Sequence, residues 1–317
     1  MLSTARIGAR LVEGASKTDS ADIVAVASRD MATAQAFADA HGIPRAHGSY
    51  EALLADAAID AVYIPLPNSM HADWTVRALQ AGKHVLCEKP MDRRPEQVER
   101  AFDVAEQHGL VLSEAFMWRH NPQTRSLRDL LDAGAIGAVR LVRACFSFVL
   151  AGDVDVRLDP TLHGGGLMDV GCYCVSGARL VAGEPVSVSA QVVTGPTGVD
   201  MRLSGLLRFD GEVLGVIDCG LDIYRRGELE VVGAEGRILL SDPWHAIGPQ
   251  IVVERGFERE IVEVDAADSF TLELEDAAAA IAGRHAPLLG RADALGQART
   301  IEALYRSAEE GRAVALR

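Results

Sequence analysis

The chain reads as α/β, with a doubly wound parallel sheet followed by an α+β domain that has a large open, mainly antiparallel sheet. Three observations predict this. Over residues 22–116, short apolar runs alternate with helical patterns, as parallel strands joined by crossover helices require. Those runs are apolar throughout instead of alternating, so both faces of the sheet must be covered. Between 185 and 263 the pattern changes to five or six strands separated by short turns such as "FDGE" and "GAEGR".

Taken in order, "DIVAVASRD" (22–30) is a strand ending in a polar turn, and "MATAQAFADAHG" (31–42) is a helix closed by Gly42. "DAVYIPLPN" (60–68) is a strand broken by two prolines, followed by the helix "HADWTVRALQAG" (71–82). The strand "KHVLCEKP" (83–90), the helix "PEQVERAFDVAEQHG" (95–109) and the strand "LVLSEAF" (110–116) complete a first domain over 1–116. The second domain, 117–317, opens with a helix at 121–133 and a long strand "AVRLVRACFSFVL" (138–150). A glycine-rich turn then leads into a helix from Asp169 to Ala182. Helices near 268–283 and 291–310 close the chain, and no internal repeat or low-complexity linker interrupts it.

At 317 residues the chain suits two domains, and 49% apolar with 24% charged residues is a soluble globular profile. No run of eighteen apolar residues is present, which argues against a membrane span. The start lacks a basic segment followed by an apolar one, so no secretory signal is read there. A net charge of −14 argues against a nucleic-acid surface, because phosphate binding needs clustered cations. The five cysteines are odd in number, and Cys172 and Cys174 are too close for a usual zinc pair. Buried free thiols in a reducing cytoplasm are expected.

In a doubly wound sheet the ligand lies beyond the carboxyl ends of the strands. A dinucleotide fold opens with a strand and a G-x-G-x-x-G turn leading into a helix. Reading "STARIG" (3–8) as that turn puts Ser3, Ala5 and Gly8 at the glycine positions, with Ser3, Thr4, Ala5, Arg6 and Ile7 lining the phosphates. About twenty residues further on, where an acidic residue would bind the ribose of NAD, stand Ser28 and Arg29. A hydroxyl and a planar guanidinium suit a 2′-phosphate, so NADP is favoured, with NAD as the alternative that Asp30 keeps open. An ordinary turn with an exposed arginine accounts for the same residues. Only Met1 and Leu2 precede the turn, so the central strand is almost missing. The expectation is that the natural protein starts several residues earlier, with Met1 inside that strand.

Three further segments fit this frame, namely "PLPNSMH" (65–71), "AGKHVLCEKP" (81–90) and "GGGLMDVGCYC" (164–174). Together with "SEAFMWRHNPQ" (113–123) they resemble the Gfo/Idh/MocA oxidoreductases over essentially the whole chain. The E-K-P element after a strand, joined to a downstream D-x-G-x-x-Y, is the specific part of the match. The resemblance implies a Rossmann-type first domain. It also places Lys89, one of only three lysines in the chain, near the nicotinamide and the substrate hydroxyl. Glu88 would face the cofactor, and Pro90 would follow a cis peptide bond. Leu66, Pro67, Asn68 and His71 resemble residues lining the cofactor, and Arg119 and Arg157 match arginines that reach cofactor or substrate. A first-turn helix histidine and surface salt bridges are the competing readings for His71 and for the two arginines.

Asp169 and Tyr173 are four apart, so on a regular helix they share one face. By resemblance, Lys89 and Tyr173 are the proton-transfer pair and Asp169 orients the substrate or the lysine. Tyrosine at this position resembles the glucose–fructose oxidoreductase, NADP-linked xylose dehydrogenase and dihydrodiol dehydrogenase branch of the family. A lysine near a cofactor cation and partly desolvated would have its pKa drawn down toward working pH, as proton transfer requires. Trp244 and His245 in "DPWHA" offer a sugar-stacking pair, with core packing as the other reading. The function expected is NADP(H)-dependent hydride transfer to or from a sugar or sugar-like alcohol or ketone. A trans-dihydrodiol dehydrogenase and a non-catalytic cofactor-binding regulator are the alternatives. No metal is expected, and the open sheet is expected to form a homodimer or higher homo-oligomer.

Overall fold

The computed structural model describes residues 1–152 and 154–316, which divide into two compact units. The first comprises Met1–Met117 with Asp268–Leu295, and the second Trp118–Ala267 with Gly296–Arg317.

The first unit begins with α1 (Arg6–Ala15), β1 (Ala25–Ala27), α2 (Met31–His41), β2 (Arg45–His47) and α3 (Tyr50–Leu54). It continues through β3 (Ala61–Ile64), α4 (His71–Gln80), β4 (His84–Glu88), α5 (Pro95–His108) and β5 (Leu112–Ala115). All strand pairs are parallel, β1 with β2 and β3–β4–β5 in sequence. Met1 and Leu2 lie between the two groups. Leu2 bridges Ala27 in parallel, and its N–H donates to the Tyr63 carbonyl at 2.9 Å. The Met1 amine donates to the Ala25 carbonyl at 2.8 Å.

Local chemistry explains the helices. Asp30 caps α2 by accepting from the Thr33 N–H, and Gly42 ends it in the left-handed region that glycine enters without a Cβ penalty. Pro95 opens α5, and Val98, Ala101, Phe102 and Ala105 form its buried stripe at 3- and 4-residue spacing. Full burial of Val98 or Phe102 stabilises the unit by about 1.5–3 kcal/mol each.

The second unit holds α6 (Pro122–Asp132), β6 (Val139–Val149), a π-helical turn (Leu167–Gly171) and α7 (Cys172–Ala182). Seven strands follow, β7 (Pro185–Thr194), β8 (Asp200–Phe209), β9 (Leu214–Gly220), β10 (Asp222–Gly233), β11 (Arg237–Leu240), β12 (Gln250–Arg255) and β13 (Glu258–Glu263). After α8 (Ser269–Ile281), which belongs to the first unit, come α9 (Arg291–Glu310), whose first residues do too, and β14 (Val314–Ala315). The nine strands of the second unit form one sheet in the order β13-β12-β11-β10-β6-β9-β8-β7-β14. Its pairs are antiparallel except β6 with β9, which run parallel. Along β8, Leu203, Leu207 and Phe209 point inward and alternate with exposed Ser204, Leu206 and Arg208.

The fold class is the one the sequence predicts, but seven strands stand between 185 and 263 where five or six are expected, and the chain path also differs. Asp268–Leu295 returns to the first unit, whereas the sequence assigns all of 117–317 to the second. The reason is packing. Gly14 leaves room for Phe270, the Thr271 hydroxyl donates to the Gly14 carbonyl at 2.9 Å, and Lys17 pairs with Asp268 at 2.6 Å. Helix α8 therefore docks on α1.

Candidate active site

In the first unit the turn before α1 is built without its usual glycines. Ser3 has φ 128°, a backbone conformation that favours glycine, and its hydroxyl donates to the Pro65 carbonyl at 2.9 Å. The Ala5 N–H donates to the Ser3 hydroxyl oxygen. Gly8 lies against the Met1 side chain, and a Cβ there would sit 2.6 Å from its sulfur unless that side chain moved. Helix α1 has Ala5 at its N-cap with no side-chain cap and no acidic residue in its first turn. Its leading N–H groups thus have no side-chain cap.

At the end of β1, Ser28 is buried and its N–H donates to the His47 carbonyl, while Arg29 is exposed. Asp30 is held as the cap of α2, which occupies its carboxylate. At the end of β3, Leu66 is buried, and Pro67 precedes a 3-10 turn that starts at Asn68. His71 is almost wholly buried, with Nδ1 2.9 Å from the Pro90 carbonyl and Nε2 2.6 Å from the Leu66 carbonyl.

The end of β4 carries Glu88 and Lys89, both half-buried, and the Lys89–Pro90 peptide bond is cis. The Tyr63 hydroxyl donates to Glu88 Oε1, and the Lys89 N–H donates to Glu88 Oε2 at 3.2 Å. Sequence reasoning missed Glu114, which is buried at the end of β5 and accepts from the Met91 N–H at 2.7 Å. Side chains thus bind the main chain at Lys89, Pro90 and Met91 in succession. This fixes the base from which the lysine side chain projects.

In the second unit Asp169 lies within the π-helical turn and Tyr173 within α7. The four-residue spacing therefore crosses from i→i+5 to i→i+4 winding, a departure from the regular helix that the sequence suggests and one that recurs at functional sites. Arg157 joins Asp169, its Nε donating to Oδ2 at 2.7 Å, and it also pairs with Asp155. Burial works against the charge on Arg157, but Asp169 and Asp155 outweigh it and hold the guanidinium pKa above its ordinary value. Tyr173 packs edge-on against Phe146 with ring centroids 5.4 Å apart. Arg119 donates to the Ser176 hydroxyl at 3.4 Å and lies over the Trp118 ring.

Asp200 is the second residue that sequence reasoning missed. It accepts from the Leu167 N–H at 2.6 Å and from the Tyr305 hydroxyl at 2.9 Å, anchoring the start of the π turn. Gly165, at φ 116°, passes so close that a Cβ would overlap the Asp200 carboxylate, which explains the glycine run there. Trp244 is fully buried, donates to the Cys145 carbonyl and meets Trp118 edge to face. It is a core residue and has no face to offer a sugar. His245 is exposed beside Asp242. All five cysteines are free and buried, and no metal-binding cluster occurs among the described residues.

The first unit thus carries a nucleotide-type turn and a lysine at the end of a parallel strand, and the second a carboxylate and a tyrosine four residues apart. "Oxidoreductase family, NAD-binding Rossmann fold" matches residues 4–116, and "GFO/IDH/MocA C-terminal domain" matches residues 124–239. The chain belongs to the Gfo/Idh/MocA oxidoreductase family.

Among its relatives, D-xylose 1-dehydrogenase (NADP(+)) 2 of Haloferax volcanii is 42% identical over 100% of this chain and 98% of the relative. Trans-1,2-dihydrobenzene-1,2-diol dehydrogenase of Xenopus tropicalis is 36% identical over 75% of this chain and 72% of its own. The crystal structure of a 3-ketoreductase from Actinomadura kijaniata in complex with NADP and TDP-benzene superposes with a TM-score of 0.91. It is 32% identical, and the match covers 96% of each chain.

Proposed function

We propose that this protein is an NADP(H)-dependent oxidoreductase that moves hydride between nicotinamide and the carbinol or keto carbon of a sugar or sugar-like substrate. The observation that carries this reading is Lys89 at the carboxyl end of β4, with the main chain at Lys89, Pro90 and Met91 bound in turn by Glu88, His71 and Glu114. The unit bearing that lysine also holds the N-terminus of α1, without a side-chain cap, and the Ser28–Arg29 pair at the end of β1.

These residues fit NADP. The leading N–H groups of α1 suit the pyrophosphate, and Ser28 with Arg29 suits the 2′-phosphate. When bound, the nicotinamide supplies the hydride acceptor for oxidation or the donor for reduction. The chain's own residues handle the proton. Lys89 and Tyr173 are the proton-transfer groups for the substrate hydroxyl, and Asp169, held by Arg157, orients the substrate. Holding the reacting groups in place supplies the remaining rate enhancement as saved entropy.

The full-length likeness to a D-xylose dehydrogenase supports an aldopentose as first choice of substrate. A trans-dihydrodiol is the second reading, supported by the likeness to the Xenopus enzyme. Turnover against a panel of aldoses, inositols and cyclic trans-diols, with NADP⁺ and NAD⁺ in parallel, tests both. The expected result is the highest kcat/KM on an aldose with NADP⁺. Turnover of cyclic diols alone selects the second reading, and absence of turnover on every substrate rejects dehydrogenase function.

The same reading includes a cytoplasmic homodimer formed through the open sheet. Leu206 and Leu214 stand exposed on neighbouring strands of that sheet, and no helix among the described residues is long and apolar enough to cross a membrane. Light scattering coupled to size exclusion tests the assembly, and a monomer at micromolar concentration rejects it.

A further inference from the structure

His71 has a hydrogen-bonding geometry that a neutral ring cannot satisfy. Both of its nitrogens face main-chain carbonyl oxygens, Pro90 from Nδ1 at 2.9 Å and Leu66 from Nε2 at 2.6 Å. A carbonyl only accepts, and a neutral imidazole has one N–H. With one proton, the second nitrogen turns a lone pair toward a carbonyl lone pair in a buried place, which costs free energy. With two protons both contacts become charge-assisted hydrogen bonds, which are shorter and stronger than neutral ones.

The two carbonyls have a common significance. Leu66 follows β3 and Pro90 follows β4, so the ring joins the ends of two adjacent parallel strands. In a doubly wound sheet that edge is where the cofactor lies. The Pro90 carbonyl also directly follows the peptide unit of Lys89, and on its far side the Met91 N–H is held by Glu114.

We infer that His71 is a positioning residue for the cofactor site, tying the end of β3 to the end of β4, and that both ties hold together only when its ring carries two protons. This rests on the dehydrogenase reading for its purpose but not for its test. Burial and the Lys89 ammonium oppose the second proton, whereas the two carbonyls and Asp92 favour it. The balance holds the ring pKa below its ordinary value, so the clamp closes on acidification and relaxes as pH rises. NADP⁺ binding to the clamped backbone and proton uptake by His71 are then linked and reinforce each other.

NMR on the full chain, free of cofactor, tests this with histidine-ring and backbone ¹⁵N signals followed through a pH titration. The expected result is that the ring takes up its second proton while the protein remains folded, and that the Asn68 and Met91 amides shift with the same midpoint. A ring that stays singly protonated until unfolding, or amides that ignore its titration, overturns the proposal.

A His71→Phe variant supplies the second arm. Its NADP⁺ affinity, measured by calorimetry, should fall by at least about tenfold at mildly acid pH, where the wild-type ring makes two charge-assisted bonds, and by clearly less at alkaline pH, where it makes one neutral bond. An equal loss at both pH values marks a merely structural role and overturns the proposal. Should the wild-type protein prove inactive on every substrate, the dehydrogenase reading fails while the titration still decides this one.

Discussion

The Arg157 guanidinium meets the Asp169 carboxylate at 2.7 Å, across twelve residues of chain and at the one π-helical turn among the described residues. The pair is half-buried, and Arg157 also holds Asp155. Asp169 therefore has a fixed orientation before any substrate arrives. Asp169→Asn keeps the shape but loses the charge, and kcat/KM should fall on the order of tenfold to a hundredfold. NADP⁺ affinity should stay within about threefold of wild type. Stopped-flow turnover and calorimetry check the two halves of this expectation.

Tyr173 separates packing from chemistry. Its ring is set against Phe146 and Trp244, and removing the hydroxyl leaves those ring contacts intact. Tyr173→Phe should lower kcat by about a hundredfold, within the range for losing a general acid–base group, with little change in cofactor affinity. A fall in NADP⁺ affinity at normal kcat reassigns the residue to binding.

In the proposed reading, cofactor choice rests on Arg29. Asp30 is held as the cap of α2, which leaves the exposed arginine to meet a 2′-phosphate. Arg29→Asp should weaken NADP⁺ by about tenfold to a hundredfold and improve NAD⁺, the cost of losing a charge-assisted phosphate contact. The ratio of kcat/KM for the two cofactors checks it, and an unchanged ratio refutes the assignment.

Two buried groups shape the pH dependence of stability. Burial pushes the Glu273 carboxyl well above its ordinary range, with Glu88 and Asp276 adding to the effect, and neither oxygen has a hydrogen-bond partner. The native state keeps a proton that the unfolded chain releases, so this group costs stability as pH rises above the ordinary carboxyl pKa. Glu273→Gln should remove that slope and raise stability by on the order of 1–3 kcal/mol at about pH 8, with little change at about pH 4.

His120 acts in the opposite direction. Burial first, then Arg119 and Arg125, push it down from 6.5 to about 3, so the folded protein excludes a proton that the unfolded chain binds. Stability is lost as pH falls below 6.5 toward 3, and His120→Gln should flatten that limb. Urea unfolding midpoints across the pH range measure both slopes.

The sequence allowed the long elements to be placed because their signals are local. Pro95, the stripe from Val98 to Ala105 and Gly109 define α5 unaided, and the β8 alternation does the same for an antiparallel strand. β2 and α3, at three and five residues, are too short for a period to show. The parallel pairing of β6 with β9 and the return of α8 to α1 depend on contacts between segments far apart in sequence, which no local pattern encodes. The same limit applies at the site. Lys89, Asp169 and Tyr173 stood out by motif, but Glu114 and Asp200 act through main-chain partners 23 and 33 residues away. A buried carboxylate flanked by apolar residues, as in "LSEAF", was the available signal for Glu114.

In the proposed reaction Lys89 performs proton transfer at a site whose cofactor is held by other groups. Lys89→Ala tests it most directly, with NADP⁺ binding by calorimetry set beside single-turnover kinetics on the best aldose. Binding should stay within about threefold of wild type, with the rate reduced by at least about a thousandfold. Near-normal kinetics in that variant would contradict it.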